Sequence, residues 1–121
     1  MKGLHLTADL YRCRCQAAWL DDAQQLQAWC EAAVQAVGLQ PLEQVFHADA
    51  GEAGLSAAIL MPGAHLCLHT WPQGKAVTAD VYVSNADADQ SARARGLMSA
   101  LVNRFAPEWT EQRSLDRGEE E

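Results

Sequence analysis

The sequence predicts an α/β two-layer sandwich, a mostly antiparallel sheet with two helices on one face. Three observations support this fold class: several short β-prone runs, two amphipathic segments with helical spacing, and their order, β-α-β-β-β-β-α. With 121 residues, 49% of them hydrophobic and 21% charged, the chain has the size and composition of one packed domain. We expect that domain to span residues 1–106, followed by an acidic and partly disordered C-terminal tail at residues 107–121.

The strands are predicted from alternation and from β-prone composition. In residues 3–11, Leu4, Leu6, Ala8 and Leu10 occupy alternate positions, which is typical of a strand with one buried face. Four further β-prone runs follow, separated by connections that contain glycine or proline. These runs cover residues 41–47, 54–62, 64–71 and 75–84.

Two helices are predicted from N-cap signatures that precede apolar residues at helical spacing. Asp21, with a glutamine three positions later, begins the first helix, which ends at Gly38. Asp87, again with a glutamine three positions later, begins the second, which ends near Pro107. The apolar faces comprise Ala23, Leu26, Cys30, Ala33, Val34 and Val37 in the first helix, and Ala94, Leu97, Met98, Leu101, Val102 and Phe105 in the second.

The charge balance limits the classes of partner. The net charge is −7, Lys2 and Lys75 are the only lysines, and no basic stripe exists, so we expect no nucleic-acid partner. Acidity weakly favours cations such as polyamines. No apolar run approaches the roughly 20 residues that cross a bilayer, and the N-terminus lacks the pattern of a signal peptide. We therefore expect a cytoplasmic protein without membrane contact.

The four cysteines form no C-x-x-C pair, and we interpret them as reduced thiols. Cys30 and Cys67 are expected to be buried as small apolar side chains. Cys13 and Cys15 form a C-x-C pair that could chelate a soft metal, although no second pair completes such a site.

The stretch "GAHLCLHTWP" at residues 63–72 places chemistry-bearing side chains at alternate positions of a predicted strand. His65, Cys67 and His69 should share one face and point toward a groove or an interface. Because imidazole and thiolate suit zinc or copper, one hypothesis is an enzyme of different chemistry that uses this trio, with or without a metal. The other is that these are hydrogen-bonded residues that bind no metal.

Residues 45–84, "VFHADAGEAGLSAAILMPGAHLCLHTWPQGKAVTADVYVS", resemble the small prokaryotic S-adenosylmethionine decarboxylases. The core pattern of that family is close to V-F-H…G-x-S-x-x-x-x-I-A-E-S-H-L-S-I-H-T-W-P-E…D-V-F-x-C. The similarity extends to "HLTADLYRC" at residues 5–13, near the H-L-x-x-D-L-Y-x-C start of the family, and so covers most of the chain. The resemblance implies the sandwich fold of that family, a dimer with sites near its interface, and a relation to polyamine (spermidine) biosynthesis.

Members of the family cut themselves. A serine hydroxyl attacks the carbonyl of the preceding glutamate, and β-elimination from the resulting ester leaves a pyruvoyl group on the new terminus. That ketone forms a Schiff base with the substrate amine and serves as the electron sink for decarboxylation. The resemblance places the Glu-Ser pair at Gly63-Ala64, and alanine has no hydroxyl. We therefore expect an uncleaved chain without a pyruvoyl cofactor.

Three other family positions also differ. The proton-donor cysteine corresponds to Ser84, whose hydroxyl is a far poorer acid than a thiol of pKa about 8.5. The glutamate that helps to hold the ribose corresponds to Gln73, and the phenylalanine of an H-x-F-x-P loop has no clear counterpart in "HADAGEAG" at residues 47–54. Ser56 and His69 correspond to the positions that assist self-processing. The other matching positions are His65, Thr70, Trp71, Pro72 and Asp80.

These differences predict an S-adenosylmethionine decarboxylase-like protein that is not an active carboxy-lyase and acts as a ligand-binding or regulatory homologue. No catalytic residue is assigned with the nucleophile absent. His65, Trp71 and Gln73 are candidate ligand-binding positions, for S-adenosylmethionine or a polyamine. The expected partner is a second copy of the chain or an active decarboxylase in a heterodimer.

Overall fold

The structure, a computed structural model, describes residues 1–50 and 54–119. These residues form six strands and three helices, and the longer elements follow the alternation and helical spacing of the sequence. In chain order they are β1 (Lys2–Tyr11), α1 (Ala18–Asp21), α2 (Ala23–Ala36), β2 (Glu43–Ala48), β3 (Leu55–Met61), β4 (Ala64–Trp71), β5 (Ala76–Ser84), α3 (Ser91–Phe105) and β6 (Trp109–Gly118).

The strands form one sheet in the order β2-β3-β4-β5-β1-β6, and every neighbouring pair is antiparallel. Strands β2 to β5 follow one another as a meander, whereas β1 lies between β5 and β6. The helices contact one side of this sheet and share a single core with it. The predicted α/β two-layer sandwich is therefore confirmed, with α1 as an additional single turn.

The core lies between the helices and the inward-facing residues of the strands. In β4 and β5 buried residues alternate with more exposed ones, because successive side chains point to opposite faces of a sheet. The largest fully buried side chains include Leu10, Leu26, Leu55, Ile59, Leu66, Leu68, Leu97, Leu101 and Phe105.

The helix boundaries differ slightly from those predicted. The N-cap of α2 is Asp22, one residue after the predicted Asp21, and its carboxylate accepts a hydrogen bond from the Gln25 N–H at 3.1 Å. The helix α3 begins at Ser91, four residues after the predicted Asp87, and the Asp89 carboxylate accepts from the Ser91 N–H at 2.9 Å. A capping hydrogen bond thus selects Asp22 at the start of α2, whereas the N-cap of α3 is Gln90, whose side chain makes no capping hydrogen bond.

The C-terminal segment departs most from the sequence-based expectation of a partly disordered tail at 107–121. Residues Trp109–Gly118 form β6, which pairs with β1 from Lys2↔Gly118 to Tyr11↔Trp109. The Tyr11 and Trp109 rings stack with centroids 4.1 Å apart. The strand forms because the edge of β1 that does not face β5 offers free backbone donors and acceptors. The domain therefore continues through Gly118, and residues 120 and 121 lie outside the described part of the chain.

None of the helices in the described residues is both long and apolar enough to cross a membrane.

Candidate functional site

The candidate site lies on the sheet face opposite the helices, which is called here the open face. Along β4, Ala64, Leu66, Leu68 and Thr70 are buried toward the core. The alternate residues His65, Cys67, His69 and Trp71 lie on the open face, as predicted from the spacing. No helix in residues 1–50 and 54–119 packs on this face, so these side chains are free to meet a ligand or a second chain.

Three polar side chains form a hydrogen-bonded chain at one end of β4. Ser56 of β3 lies directly opposite His69 in the register, and Ser56 Oγ is 3.0 Å from His69 Nδ1. The Ser56 hydroxyl also donates to Asp49 Oδ2 at 2.6 Å. The sequence analysis singled out Ser56 and His69 but missed Asp49, because that residue lies in a loop with no periodic pattern.

The backbone around Asp49 is held in place by two further hydrogen bonds. The Asp49 N–H donates to the Gly54 carbonyl at 2.8 Å, and the Gly54 N–H donates to the Thr70 carbonyl at 3.0 Å. A side chain at position 54 would place its Cβ 2.5 Å from Thr70 Oγ1, so only glycine fits this close approach. Residues 51–53 of the loop "HADAGEAG" lie outside the described residues.

A shallow cavity of about 270 Å³ opens beside this chain of hydrogen bonds. Its lining includes Val45, His47, Ser56, Cys67 and His69. Burial raises the pKa of the Cys67 thiol above its usual value, and the neighbouring Asp80 carboxylate raises it further. The Cys67 thiol is therefore less acidic than an ordinary cysteine.

An aromatic cluster occupies the middle of the open face. His65 stacks on Tyr82 with ring centroids 5.6 Å apart, and His5 lies 6.4 Å from each ring. Burial and then the nearby His5 lower the pKa of His65, and Asp80 opposes this effect. His65, a predicted ligand-binding residue, is therefore favoured in its neutral, stacking form.

The position that resembles the Glu-Ser pair lies at the other end of β4. Residues Pro62 and Gly63 form the two-residue turn between β3 and β4, closed by the pair Met61↔Ala64. Gly63 has φ +61°, and its carbonyl accepts a hydrogen bond from the Ser84 N–H at 2.9 Å. Ala64 presents only a buried methyl group, so these residues do not fit the formation of a pyruvoyl group.

The positions that correspond to the self-processing residues of the family form two groups, one around His69 and one around Ala64. These groups are far apart within one chain. His69 and Ala64 are five positions apart in β4, which corresponds to about 17 Å along a strand. Trp71 lies on the His69 side, with its ring centroid 6.0 Å from that of His69, and Gln73 is exposed in the following turn. Ser84 lies on the Gly63 side. A single chain therefore does not bring these groups into one site.

The hypothetical metal site is not assembled along the strand. His65 and His69 are four positions apart, about 13 Å between their backbones, whereas metal ligands lie about 2.0–2.3 Å from one ion. Among the described residues, no group of three or more His, Cys, Asp or Glu side chains is arranged to hold a metal ion. Cys13 is buried and Cys15 half-buried, and burial raises the pKa of both thiols, to about 11 for Cys13.

Comparison with known proteins gives the family of the chain. The sequence profile of the S-adenosylmethionine decarboxylase family matches residues 4–118. The S-adenosylmethionine decarboxylase proenzyme of Hydrogenobaculum sp. is 29% identical over 116 residues, which are 96% of this chain and 81% of that protein. The proenzyme of Persephonella marina is 34% identical over 80 residues, 66% of this chain and 58% of that protein.

The likeness extends to a solved structure. The crystal structure of the adenosylmethionine decarboxylase from Aquifex aeolicus VF5 matches with a TM-score of 0.84 and covers 98% of this chain and 92% of that one. At 24% identity, this match supports the fold alone. The fold and the match over residues 4–118 together show that this chain belongs to the S-adenosylmethionine decarboxylase family.

Proposed function

We propose that this chain is an uncleaved member of its family that lacks pyruvoyl-dependent decarboxylase activity and acts as a ligand-binding or regulatory homologue. The observation that carries the proposal is the turn at Gly63-Ala64, where the resemblance expects the self-processing Glu-Ser pair. A methyl group cannot attack a carbonyl, so the ester that precedes chain cleavage has no route to form at this position.

Neighbouring residues support the same conclusion. The Gly63 carbonyl is held by the Ser84 N–H, and the positive φ of Gly63 favours glycine over the glutamate of the family. Ser84 supplies a hydroxyl where the family has an acidic thiol, and this hydroxyl accepts a hydrogen bond from the Ala86 N–H at 3.3 Å. Ser56 and Ser84 follow leucine and valine, so neither offers a replacement Glu-Ser pair.

The separation of the two residue groups supports assembly with a second chain. A partner turned end to end on the open face would bring the Ser56 and His69 of one chain near the Gly63 turn of the other. The open face also exposes Val45, Leu60 and Leu115, which a partner would remove from water. We propose a homodimer or a heterodimer with an active decarboxylase, in which the groove between the chains binds S-adenosylmethionine or a polyamine.

Under this proposal the protein is related to polyamine biosynthesis as a regulator. It binds an enzyme of that pathway and does not catalyse the reaction itself. All four cysteines are free thiols in the structure, which accords with a reducing compartment such as the cytoplasm.

The test uses the purified full chain in three measurements. Intact mass spectrometry is expected to give one uncleaved polypeptide, light scattering a dimer, and calorimetric titration micromolar or tighter binding of S-adenosylmethionine. Two fragments meeting at residue 63 would refute the loss of processing. A chain that is intact but binds neither S-adenosylmethionine nor spermidine would refute the ligand-binding role, and a monomer that does not associate with an active decarboxylase would refute the partner.

A further inference from the structure

We propose that Asp49, acting through Ser56, holds His69 in the tautomer whose free Nε2 accepts a hydrogen bond, and that this site binds the ammonium group of a cationic ligand. The inference rests on the ligand-binding role proposed above and narrows the chemical class of the ligand. Asp49 is a positioning residue in this scheme, because it acts on His69 and not directly on the ligand.

The argument begins with the protons available to the three side chains. An ionised carboxylate accepts hydrogen bonds and donates none, so the 2.6 Å contact requires the Ser56 hydroxyl proton to point at Asp49. Ser56 Oγ then has only lone pairs left for His69 Nδ1, which lies 3.0 Å away. That second contact is a hydrogen bond only if Nδ1 carries a proton. Neutral His69 must therefore have its lone pair on Nε2.

The surroundings of His69 favour a positively charged donor. The side chain is exposed on the open face, and none of the described residues that line the adjacent 270 Å³ cavity is a lysine or an arginine. The Asp49 carboxylate supplies negative charge behind Ser56, and its Oδ1 also lies 3.8 Å from His47 Nε2. The Trp71 ring, 41% exposed and 6.0 Å from the His69 ring, offers a face for a cation–π contact. A primary ammonium group can donate to His69 Nε2 while it lies near the Asp49 carboxylate and the Trp71 ring.

The tautomer can be measured without any ligand, by nitrogen-15 NMR of the imidazole side chains near pH 8. The wild-type protein is expected to show a protonated Nδ1 and an unprotonated Nε2 at His69. In Asp49→Asn the amide can donate to Ser56, which frees the hydroxyl proton for Nδ1, so the population of the Nδ1–H form should fall several-fold. The matched control is Asp9→Asn, which removes a carboxylate from β1 on the same face and should leave His69 unchanged.

The ligand class is tested with spermidine as the cationic probe and acetate as the anionic control. We expect spermidine to shift the His69 Nε2 resonance in the wild type, with several-fold weaker binding in Asp49→Asn and no response to acetate. An Nε2–H tautomer of His69 in the wild type would show that Asp49 and Ser56 do not set the His69 tautomer, and would overturn the proposal. An Nδ1–H tautomer with no response to spermidine overturns the ligand class. Chain cleavage at residue 63 would instead refute the proposed function, and it leaves the tautomer result standing.

Discussion

The Thr70 hydroxyl donates to the Leu20 carbonyl at 2.6 Å and so joins β4 to the short helix α1. The same oxygen accepts from the Leu55 N–H at 2.9 Å, and Thr70 is only 1% exposed. One buried hydroxyl thus satisfies two backbone groups that water does not reach. This bond anchors the strand whose other face carries Cys67 and His69.

Replacing this hydroxyl should be costly. Thr70→Val keeps the shape but leaves the Leu55 N–H and the Leu20 carbonyl unpaired, so we expect a loss of about 2–4 kcal/mol in the free energy of unfolding. Urea denaturation measures the change. Thr78→Val, on the open face of β5, is the matched control and should change stability by less than about 0.5 kcal/mol. Equal effects of the two substitutions would show that the Thr70 bridge contributes nothing.

A second prediction concerns β6. A chain that ends at Glu108 leaves one edge of β1 unpaired and removes the stacking of Trp109 on Tyr11. With a net value of about 0.5–1.5 kcal/mol per hydrogen bond, the loss should reach about 3 kcal/mol or more. Denaturant unfolding should show a lower midpoint than in a control chain that ends at Glu119. Equal midpoints would mean that the paired tail does not stabilise the domain.

Strand β6 is also the element that the sequence does not predict. The fold class followed from the alternation in β1, from the β-prone composition of the next four runs and from the helical spacing of two apolar faces. Strand β6 is mostly polar and exposed on both faces, so it has no such alternation, and its pairing depends on the free edge of a strand distant in sequence. From the sequence alone, its many charges therefore favour a solvated tail.

The candidate site was likewise predictable only in part from the sequence. Alternation was enough to place His65, Cys67 and His69 on one face. It could not show which groups surround His65 and His69, since those neighbours depend on the register of β4 with β3 and β5. Asp49 reaches Ser56 through a loop that only the folded backbone positions.

The processing position gives a third prediction. Ala64→Ser restores a hydroxyl, but Gly63 stays in its turn with the carbonyl bound to the Ser84 N–H, and no acidic thiol is present at position 84. We expect the variant to remain one chain by intact mass and to lose about 1–3 kcal/mol because a hydroxyl is buried without a partner. Ala57→Ser, also buried in the core, is the control for that loss. Cleavage of Ala64→Ser would show that the processing machinery survives.

The cysteines provide a fourth prediction. Burial raises the pKa of Cys30 to about 12 and that of Cys13 to about 11, so neither forms a thiolate at pH 8. Cys15 and Cys67 are half-buried, and their pKa values are also raised. Iodoacetamide at pH 8 should therefore label Cys15 and Cys67 slowly and the other two only after unfolding. Peptide mapping by mass spectrometry identifies the sites, and rapid labelling of Cys30 in the native protein would contradict the packing.

A fifth prediction follows from His65, whose pKa is lowered first by burial, then by His5, against the opposing effect of Asp80. Because the folded pKa lies below the unfolded value of about 6.5, the unfolded chain binds more protons in this range. The contribution of His65 to stability is therefore complete above about pH 6.5 and is lost as the pH falls through the folded pKa. The melting temperature should decrease from pH 8 to pH 5, and His65→Gln should reduce that slope. Thr78→Val, which changes an open-face side chain without altering a titratable group, should leave the slope unchanged. An identical slope in His65→Gln and the wild type would show that His65 is not the group responsible.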